Sequence, residues 1–374
     1  MWVTLDAKAP NHNLHELRKG SAGDVLFCAT VKSNAYGHGV EEMVRLLPAA
    51  DWFGVNSYEE GMELRALGVT KPILLLGYVP TSQLAAAVQA DLRLTVYNRE
   101  TLRHLAELKP PMGKPRVHLK IETGTGRQGV MSHELDDFLD LLVDSGSVEI
   151  EGLLTHYANS DDPLDSAYAE AQLGRFREAL SRVQARGIAV PVVHTACTAA
   201  CILYPQTHFS MIRAGIGLYG LWPSRELRVA TRGRTDFRDL RPVLGWKTRV
   251  AQVKTLPKGS YVGYGCTYKT TRETRLAVLP VGYADGYDRS LGNTAHVLIR
   301  GQRAPVIGRV CMNLTMTDVT DIPNVASEDE VTLLGRDGQE EISADSMAGW
   351  VGTINYEIVT RISPLLPRVI VERE

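Results

Sequence analysis

Between about residue 24 and residue 220 the chain alternates short apolar, often β-branched runs with longer stretches in which Leu, Ala and Glu recur at helical spacing. The runs are Val25–Lys32, Trp52–Asn56, Ile73–Gly77, Leu92–Tyr97, Arg116–Glu122, Ile150–His156, Pro191–Thr195 and Phe209–Ile216. Their buried character suggests parallel strands covered by helices, and alternating βα units make a parallel sheet. Eight units in roughly 200 residues suit a TIM-type (β/α)8 barrel, whereas an open doubly wound sheet usually stops at fewer strands. Among the helices, Ser57 with Glu60 three residues on reads as a capping box. The longest amphipathic stretch, Asp165 to Gly187, ends on a glycine stop.

The texture changes after Leu221. Ser224 to Arg241 is rich in Arg and poor in large apolar residues, so it reads as an exposed connection. Beyond it, Val250–Thr255, Leu276–Val281, Val297–Arg300, Val306–Val310 and Val331–Leu334 read as short strands between Gly and Pro turns, followed by one helical pattern, Ala344–Trp350. The expected organisation is an α/β chain: a (β/α)8 barrel over residues 8–233, then a β-rich C-terminal domain over 234–374, with residues 1–7 as a candidate strand joining it.

Composition narrows the function classes. Of 374 residues, 44% are hydrophobic and 22% charged, which excludes disordered and fibrous chains. Lys plus Arg (41) nearly balances Asp plus Glu (43), so no strong field argues for nucleic acid or an anionic membrane. No apolar run approaches the roughly 18 residues of a spanning helix, and the start, Met1 to Asp6, lacks the basic and apolar regions of a signal peptide. Five scattered cysteines fit reduced thiols. A cytoplasmic location follows as an expectation.

A barrel places its chemistry at the carboxyl ends of its strands. Lys32 stands at such an end, where a poorly hydrated amine gains nucleophilicity, as a Schiff-base lysine needs; a lysine snorkelling at the mouth would look the same. Asn56, Lys120, His156, His194 and Arg213 share the rim by the same logic, a set suited to an anionic ligand. Gly124–Gly129 and Gly215–Gly220 both match G-x-G-x-x-G, yet neither follows a first strand and opens a helix as a dinucleotide site requires. Gly215, Ile216 and Gly217, with Thr198, fall where barrels often bind phosphate, although taken alone they read more readily as simple tight turns. His194, Cys197 and Cys201 offer three ligands at most, so no metal is expected.

At this point the residues match a family. Val31-Lys32-Ser33-Asn34-Ala35-Tyr36-Gly37-His38-Gly39 resembles the pyridoxal-phosphate attachment signature of alanine racemases. The match continues in order through His118–Arg127, Glu151–Tyr157, Met211–Ile216, Gly263–Tyr268, Val281–Gly286, Gly308–Met312 and Thr353–Glu357, over essentially the whole chain. The resemblance implies a homodimer acting on a small amino acid, with the site shared between subunits. Lys32 would hold the cofactor and serve as one base, and Tyr264 of the partner subunit as the other. Arg127 and the Met312 main chain would contact substrate. Tyr36, Thr198, Gly215, Ile216 and Tyr356 would bind the cofactor phosphate, Arg213 would face the pyridine nitrogen, and His156 would lie against the ring. Lys120 corresponds to a lysine that can be carbamylated in the family.

The chemistry agrees with these implied roles. Racemisation removes the Cα proton from one face and returns one to the other, so two bases must flank a planar carbon. An arginine does not readily surrender its proton, so Arg213 would leave the pyridine nitrogen unprotonated and the cofactor a weaker electron sink. The chain departs from the family pattern in three places: Cys197 precedes Thr198 where an Asn-Ser pair is usual, Asn313 follows Met312 in place of Asp, and Glu122 replaces an Asp. These leave alanine against serine open. A decarboxylase of similar architecture and a non-catalytic cofactor carrier are the rival readings. Arg213 speaks against the first and the 140-residue second domain against the second.

Overall fold

The structure, a computed structural model, describes residues 1–21, 24–108, 113–233 and 239–372. Its contacts divide the chain into one unit of Ala9–Ser33 and Met43–Arg241 and another of Met1–Lys8, Asn34–Glu42 and Pro242–Glu374. Residues 34–42, inside the stretch expected to be barrel, thus group with the β-rich unit. Residues 234–238, where the expected domain boundary falls, lie outside the described residues.

After a first strand, β1 (Trp2–Asp6), the chain supplies eight parallel strands: β2 (Leu26–Thr30), β3 (Trp52–Val55), β4 (Ile73–Leu75), β5 (Leu92–Val96), β6 (Arg116–Lys120), β7 (Glu149–Leu154), β8 (Val192–His194) and β9 (Met211–Ala214). They pair in the order β8-β7-β6-β5-β4-β3-β2-β9. The two ends of this sheet meet through Ser210 N–H to the Val193 carbonyl and Arg213 N–H to the Ala196 carbonyl, each 3.0 Å, so the sheet closes nearly into a barrel. All eight expected strands are present, and each of the eight hydrophobic runs overshoots its strand at the carboxyl end by one to two residues. Hydrophobicity continues into the first loop residues, while the ladder stops where neighbours diverge. Lys32, Asn56 and His156 stand in those overhangs.

Two signals at helix ends have structural counterparts. Ser57 accepts the Glu60 N–H and Glu60 reaches back to the Ser57 backbone, both halves of the capping box. The long helix runs Ala167–Ala185, with Gly187 beyond it at φ +70°, a conformation glycine adopts without steric cost. The barrel interior mixes an apolar layer of Cys28, Trp52, Leu74, Val192 and Met211 with buried polar side chains, His118, His194 and Arg213 among them. Among the described residues no helix is long and apolar enough to cross a membrane.

The β-rich unit holds two larger sheets. In one, β1 pairs antiparallel with β10 (Leu244–Arg249) and parallel with Arg368–Val371, so the first residues of the chain belong to this unit. The other joins Gln252–Leu256, Thr274–Leu279 and Thr315–Asp318. Three expectations need correction. The strand expected at Val306–Val310 lies earlier, at Gln302–Pro305, and Val306 makes only an isolated bridge to Thr317. Gly308, at φ +77° with Val262 O only 2.7 Å from where a Cβ would sit, turns the chain there. A helix, Asn355–Thr360, follows Ala344–Val351, so there are two where one was expected. The Arg-rich connection contains a capped turn of helix, Arg225–Ala230, which buries Leu227. Single apolar residues in polar surroundings carry no readable period, which is why that helix was illegible.

Candidate active site

Lys32 follows β2 by two residues, and Val31 N–H donates the last rung to the Gly54 carbonyl at 2.8 Å. The chain then makes an unusual turn: Ser33, Asn34, Ala35 and Tyr36 all have φ between +51° and +55°. Four consecutive non-glycine residues in the left-handed region are sterically costly. The turn is tied at its far end, where the Asn34 carbonyl accepts Gly39 N–H (3.0 Å) and the Asn34 side chain accepts Val40 N–H (2.9 Å). Gly37 must be glycine, since a Cβ would sit 1.9 Å from the Val359 carbonyl oxygen. Burial and the Arg127 guanidinium depress the Lys32 amine below its ordinary range, with Glu60 opposing them.

Lys120 ends β6, buried, with Nζ 3.3 Å from the Gln128 side-chain oxygen. Desolvation, then Arg127 and Arg213, lower its amine to about 8. The loop after β6 is shaped by Glu122, whose carboxylate accepts the N–H groups of Gly124 and Thr125 (2.6 Å each) and Arg127 (3.1 Å). Gly129 lies so close to Glu122 that a Cβ would sit 2.3 Å from its nitrogen. The first G-x-G-x-x-G is therefore the loop that presents Arg127. His156, beyond β7, is held down to about 3 by burial and by Arg213, Arg127, Lys120 and Lys32, so its ring is neutral.

Arg213, on β9, is locked from behind. Nη1 donates to His194 Nδ1 (2.6 Å) and the His194 carbonyl (2.9 Å), while Nη2 donates to the carbonyls of Thr155 (2.7 Å) and Thr195 (3.2 Å). The four terminal N–H groups are thereby engaged and Nε–H is the remaining donor. An arginine cannot accept, so His194 Nδ1 is the acceptor and its Nε2 carries the hydrogen. That hydrogen goes to His118 Nδ1 at 2.7 Å, and His118 Nε2–H in turn donates to Glu151 at 3.2 Å. Both rings are fully buried and pushed by desolvation toward the neutral form. Glu151 also meets Arg93 (3.2 Å), and Asp91 pairs with Arg93 and Arg116. Gly152 makes room, because a Cβ there would stand 2.3 Å from His118 Nδ1. Sequence reasoning placed His194 among rim cations; it is a neutral residue of the interior. His118, Glu151 and Glu60 were not singled out for the site, although the first two lie within the quoted segments and the last in the capping box.

At the end of β8, the Thr198 hydroxyl accepts N–H from Gly215 (3.1 Å) and Gly217 (3.4 Å). Gly217 has no room for a Cβ, which would sit 2.6 Å from Thr198 Cγ2. Ile216 opens the 3₁₀ turn Ile216–Tyr219, so its N–H has no acceptor inside that turn. Among the described residues no group of three His, Cys, Asp or Glu gathers to hold a metal. Cys201 Sγ donates to the Leu17 carbonyl, and Cys197 lies 3.3 Å from the Ser160 hydroxyl.

The remaining candidates belong to the β-rich unit. The Tyr36 and Tyr356 rings lie 6.2 Å apart, tilted by 48°. Tyr264 is 73% exposed on a loop whose flanking Gly263 and Gly265 take φ +71° and +72°. Arg309 packs under that loop, 2.7 Å from the Cβ position of Gly265. Met312 is 57% exposed, and its carbonyl accepts Ala284 N–H at 3.0 Å. Gly282 allows this approach, since a Cβ would lie 2.2 Å from Cys311 O. The segments Val281–Gly286 and Gly308–Met312 are thus one packed structure that displays Met312. Asn313 follows it, exposed.

Comparison with known proteins bears on this arrangement. The family model described as alanine racemase, N-terminal domain, matches residues 5–223, and that for the C-terminal domain matches residues 243–370. An alanine racemase of Leptospira interrogans is 39% identical over 377 residues, covering 99% of this chain and 96% of its own length. One from Symbiobacterium thermophilum is 42% identical over 370 residues, with coverages of 98% and 96%. The solved alanine racemase of Bacillus anthracis with bound L-Ala-P superimposes with a TM-score of 0.93 at 35% identity, covering all of this chain and 95% of that one. That of Clostridium difficile in complex with cycloserine gives 0.90 at 30% identity, covering 100% and 96%. The chain belongs to the alanine racemase family.

Proposed function

We propose that this protein interconverts L- and D-alanine with pyridoxal phosphate by a two-base mechanism. It does so as a cytoplasmic homodimer that supplies D-alanine for peptidoglycan. The observation that carries the reading is the gathering at the carboxyl ends of the barrel strands: a desolvated Lys32 amine under the influence of Arg127, with Lys32 and Arg127 acting in turn on Lys120, and all three on a neutral His156. Arg213, its four terminal N–H groups engaged, completes that group.

The residues present fit the cofactor. Lys32 offers an amine for its aldehyde, Arg213 keeps one donor for a ring nitrogen, His156 offers an uncharged ring face, and the Thr198–Gly215–Gly217 cluster is too tight for any side chain at Gly217. Thr198, Gly215 and Ile216, with Tyr36 and Tyr356, are the phosphate ligands in this reading. Pyridoxal phosphate, when bound, supplies the electron sink that makes an amino-acid Cα proton removable.

The chain's own residues then divide the work. Lys32 takes or returns the Cα proton on one face; burial and Arg127 favour its neutral form, which a base requires. The partner subunit's Tyr264 does the same on the other face, in keeping with the exposure of Tyr264 in a single chain. Arg127 binds the substrate carboxylate from a loop set by Glu122, and the Met312 main chain closes on the substrate. Arg213 would offer its Nε–H to the ring nitrogen and, because it does not surrender its proton, would leave that nitrogen an acceptor. Lys120 is the carbamylated lysine in this reading. At about 8 roughly a tenth of its amine is neutral at pH 7; that neutral amine would form a C–N bond to carbon dioxide with loss of one N–H proton, so that two protons in all leave the ammonium and an anion replaces a cation beside Arg127.

Deuterium incorporation at Cα tests the reading. The cofactor-loaded protein in D2O should exchange L-alanine rapidly and yield the D-enantiomer by NMR. Exchange with serine in preference would move the specificity toward Cys197 and Asn313. Carbon dioxide release, or bound cofactor with no exchange at all, would replace the reading by a decarboxylase or a carrier.

A further inference from the structure

We propose that Glu60 is a positioning residue for Lys32, holding the peptide that follows it against the end of the neighbouring barrel strand. The inference rests on the reading of Lys32 as the cofactor-bearing base. Strands β2 and β3 are parallel neighbours whose ladder ends at Val31 and Gly54. Beyond that rung the two chains separate, and one carboxylate spans the gap. Glu60 Oε1 accepts Ser33 N–H at 2.6 Å, while Oε2 accepts Asn56 N–H at 2.6 Å and Ser57 N–H at 3.3 Å.

The capping box accounts only for the longest of these contacts. The two short ones go to a strand-end residue and to the amide between Lys32 and Ser33. That amide opens the left-handed turn of Ser33 to Tyr36, and a costly turn persists only where its surroundings over-determine it. Asn34 ties the far end of the turn, and Glu60 ties the near end, one peptide bond from Lys32. A carboxylate can accept on both oxygens at once, which no neutral side chain of that length can do. Charge adds to geometry: among the groups acting on the Lys32 amine, Glu60 opposes burial and Arg127. The box that caps a helix therefore also aims the lysine.

Three full-length, cofactor-loaded variants separate the two roles. Glu60→Gln keeps the size but accepts on one side only, Glu60→Asp keeps the charge but retracts the carboxylate, and Ser57→Ala removes the other half of the capping box alone. Hydrogen exchange at the Ser33 amide is measured with and without cofactor, and kcat and KM for alanine are measured separately. Glu60→Gln and Glu60→Asp should speed Ser33 exchange by about tenfold or more and lower kcat by about tenfold with KM little changed, as a misplaced catalytic group does. Ser57→Ala should leave both near wild type. Equal behaviour of the Glu60 and Ser57 variants would reduce Glu60 to a helix cap and overturn the proposal. Lys32→Ala run in parallel tests the parent reading: if it keeps the visible absorbance of lysine-bound cofactor, Lys32 is not that lysine, and the proposal falls for that separate reason.

Discussion

The barrel mouth and the Tyr264 loop prepare chemical groups in opposite ways. At the mouth, Arg213 is buried and engaged by hydrogen bonds from several directions, and Lys120 is desolvated among cations. Each gains its character from neighbours in the same chain. Tyr264 is mostly exposed on a loop shaped by two glycines at positive φ and backed by Arg309. The first region is finished by packing. The second is finished in backbone shape, with its tyrosine side chain left largely exposed in the single chain.

The strongest way to break that comparison is to disable one residue in each region. Lys32→Ala should abolish racemisation, by about a thousandfold or more, and remove the visible absorbance; retained activity would refute its role. Tyr264→Phe should cost about a hundredfold or more, falling far more heavily on exchange from L-alanine than from D-alanine. If the loop serves a partner, the two inactive variants should complement when mixed and allowed to exchange subunits. Half the dimers are then mixed with one intact site each, so about a quarter of wild-type activity should return. No recovery would mean that Tyr264 acts within its own chain or not at all.

Smaller effects sharpen the account of the barrel. Glu151→Gln removes the anion that faces His118, Arg93 and Arg116 in the interior, and should lower unfolding free energy by about 3 kcal/mol in urea titrations. A loss under 1 kcal/mol would show that the chain from Arg213 to Glu151 is not anchored there. Acid should act next. His118 and His194 titrate lower in the folded chain than unfolded, so the unfolded chain binds more protons below its usual value of about 6.5. Their stability contribution is complete above that pH and is lost as pH falls toward the folded values, at up to about 1.4 kcal/mol per pH unit for each ring. A flat stability profile from pH 6.5 to 5 would contradict the neutral relay. Thr198→Ala should be mildest, weakening cofactor retention by about 1 kcal/mol, read from the dissociation constant.

Much of this was legible in the chain. Strand and helix alternation stood out because buried parallel strands are largely apolar on both faces, and the capping box at Ser57 and the stop at Gly187 stood where their local physics puts them. Among the site residues, Lys32, Lys120 and Arg213 could be placed from strand ends alone. The polar edge strand Gln302–Pro305 could not, because its register comes from pairing with His296–Ile299 and not from its own pattern.

The amino-acid order thus determined the element types and strand number of the barrel and the motifs that carry the family. Those properties follow from side-chain periodicity and from residues, above all glycines, whose backbone demands are local. Tertiary structure alone decided that His194 is a neutral link and not a rim cation, that Glu60 reaches across from a helix cap to the peptide after Lys32, and that residues 34–42 group with the β-rich unit. The protonation of a ring and the destination of a carboxylate depend on what lies within a few ångströms, and in this chain those neighbours are 27 residues away for Ser33 and Glu60 and 76 for His118 and His194.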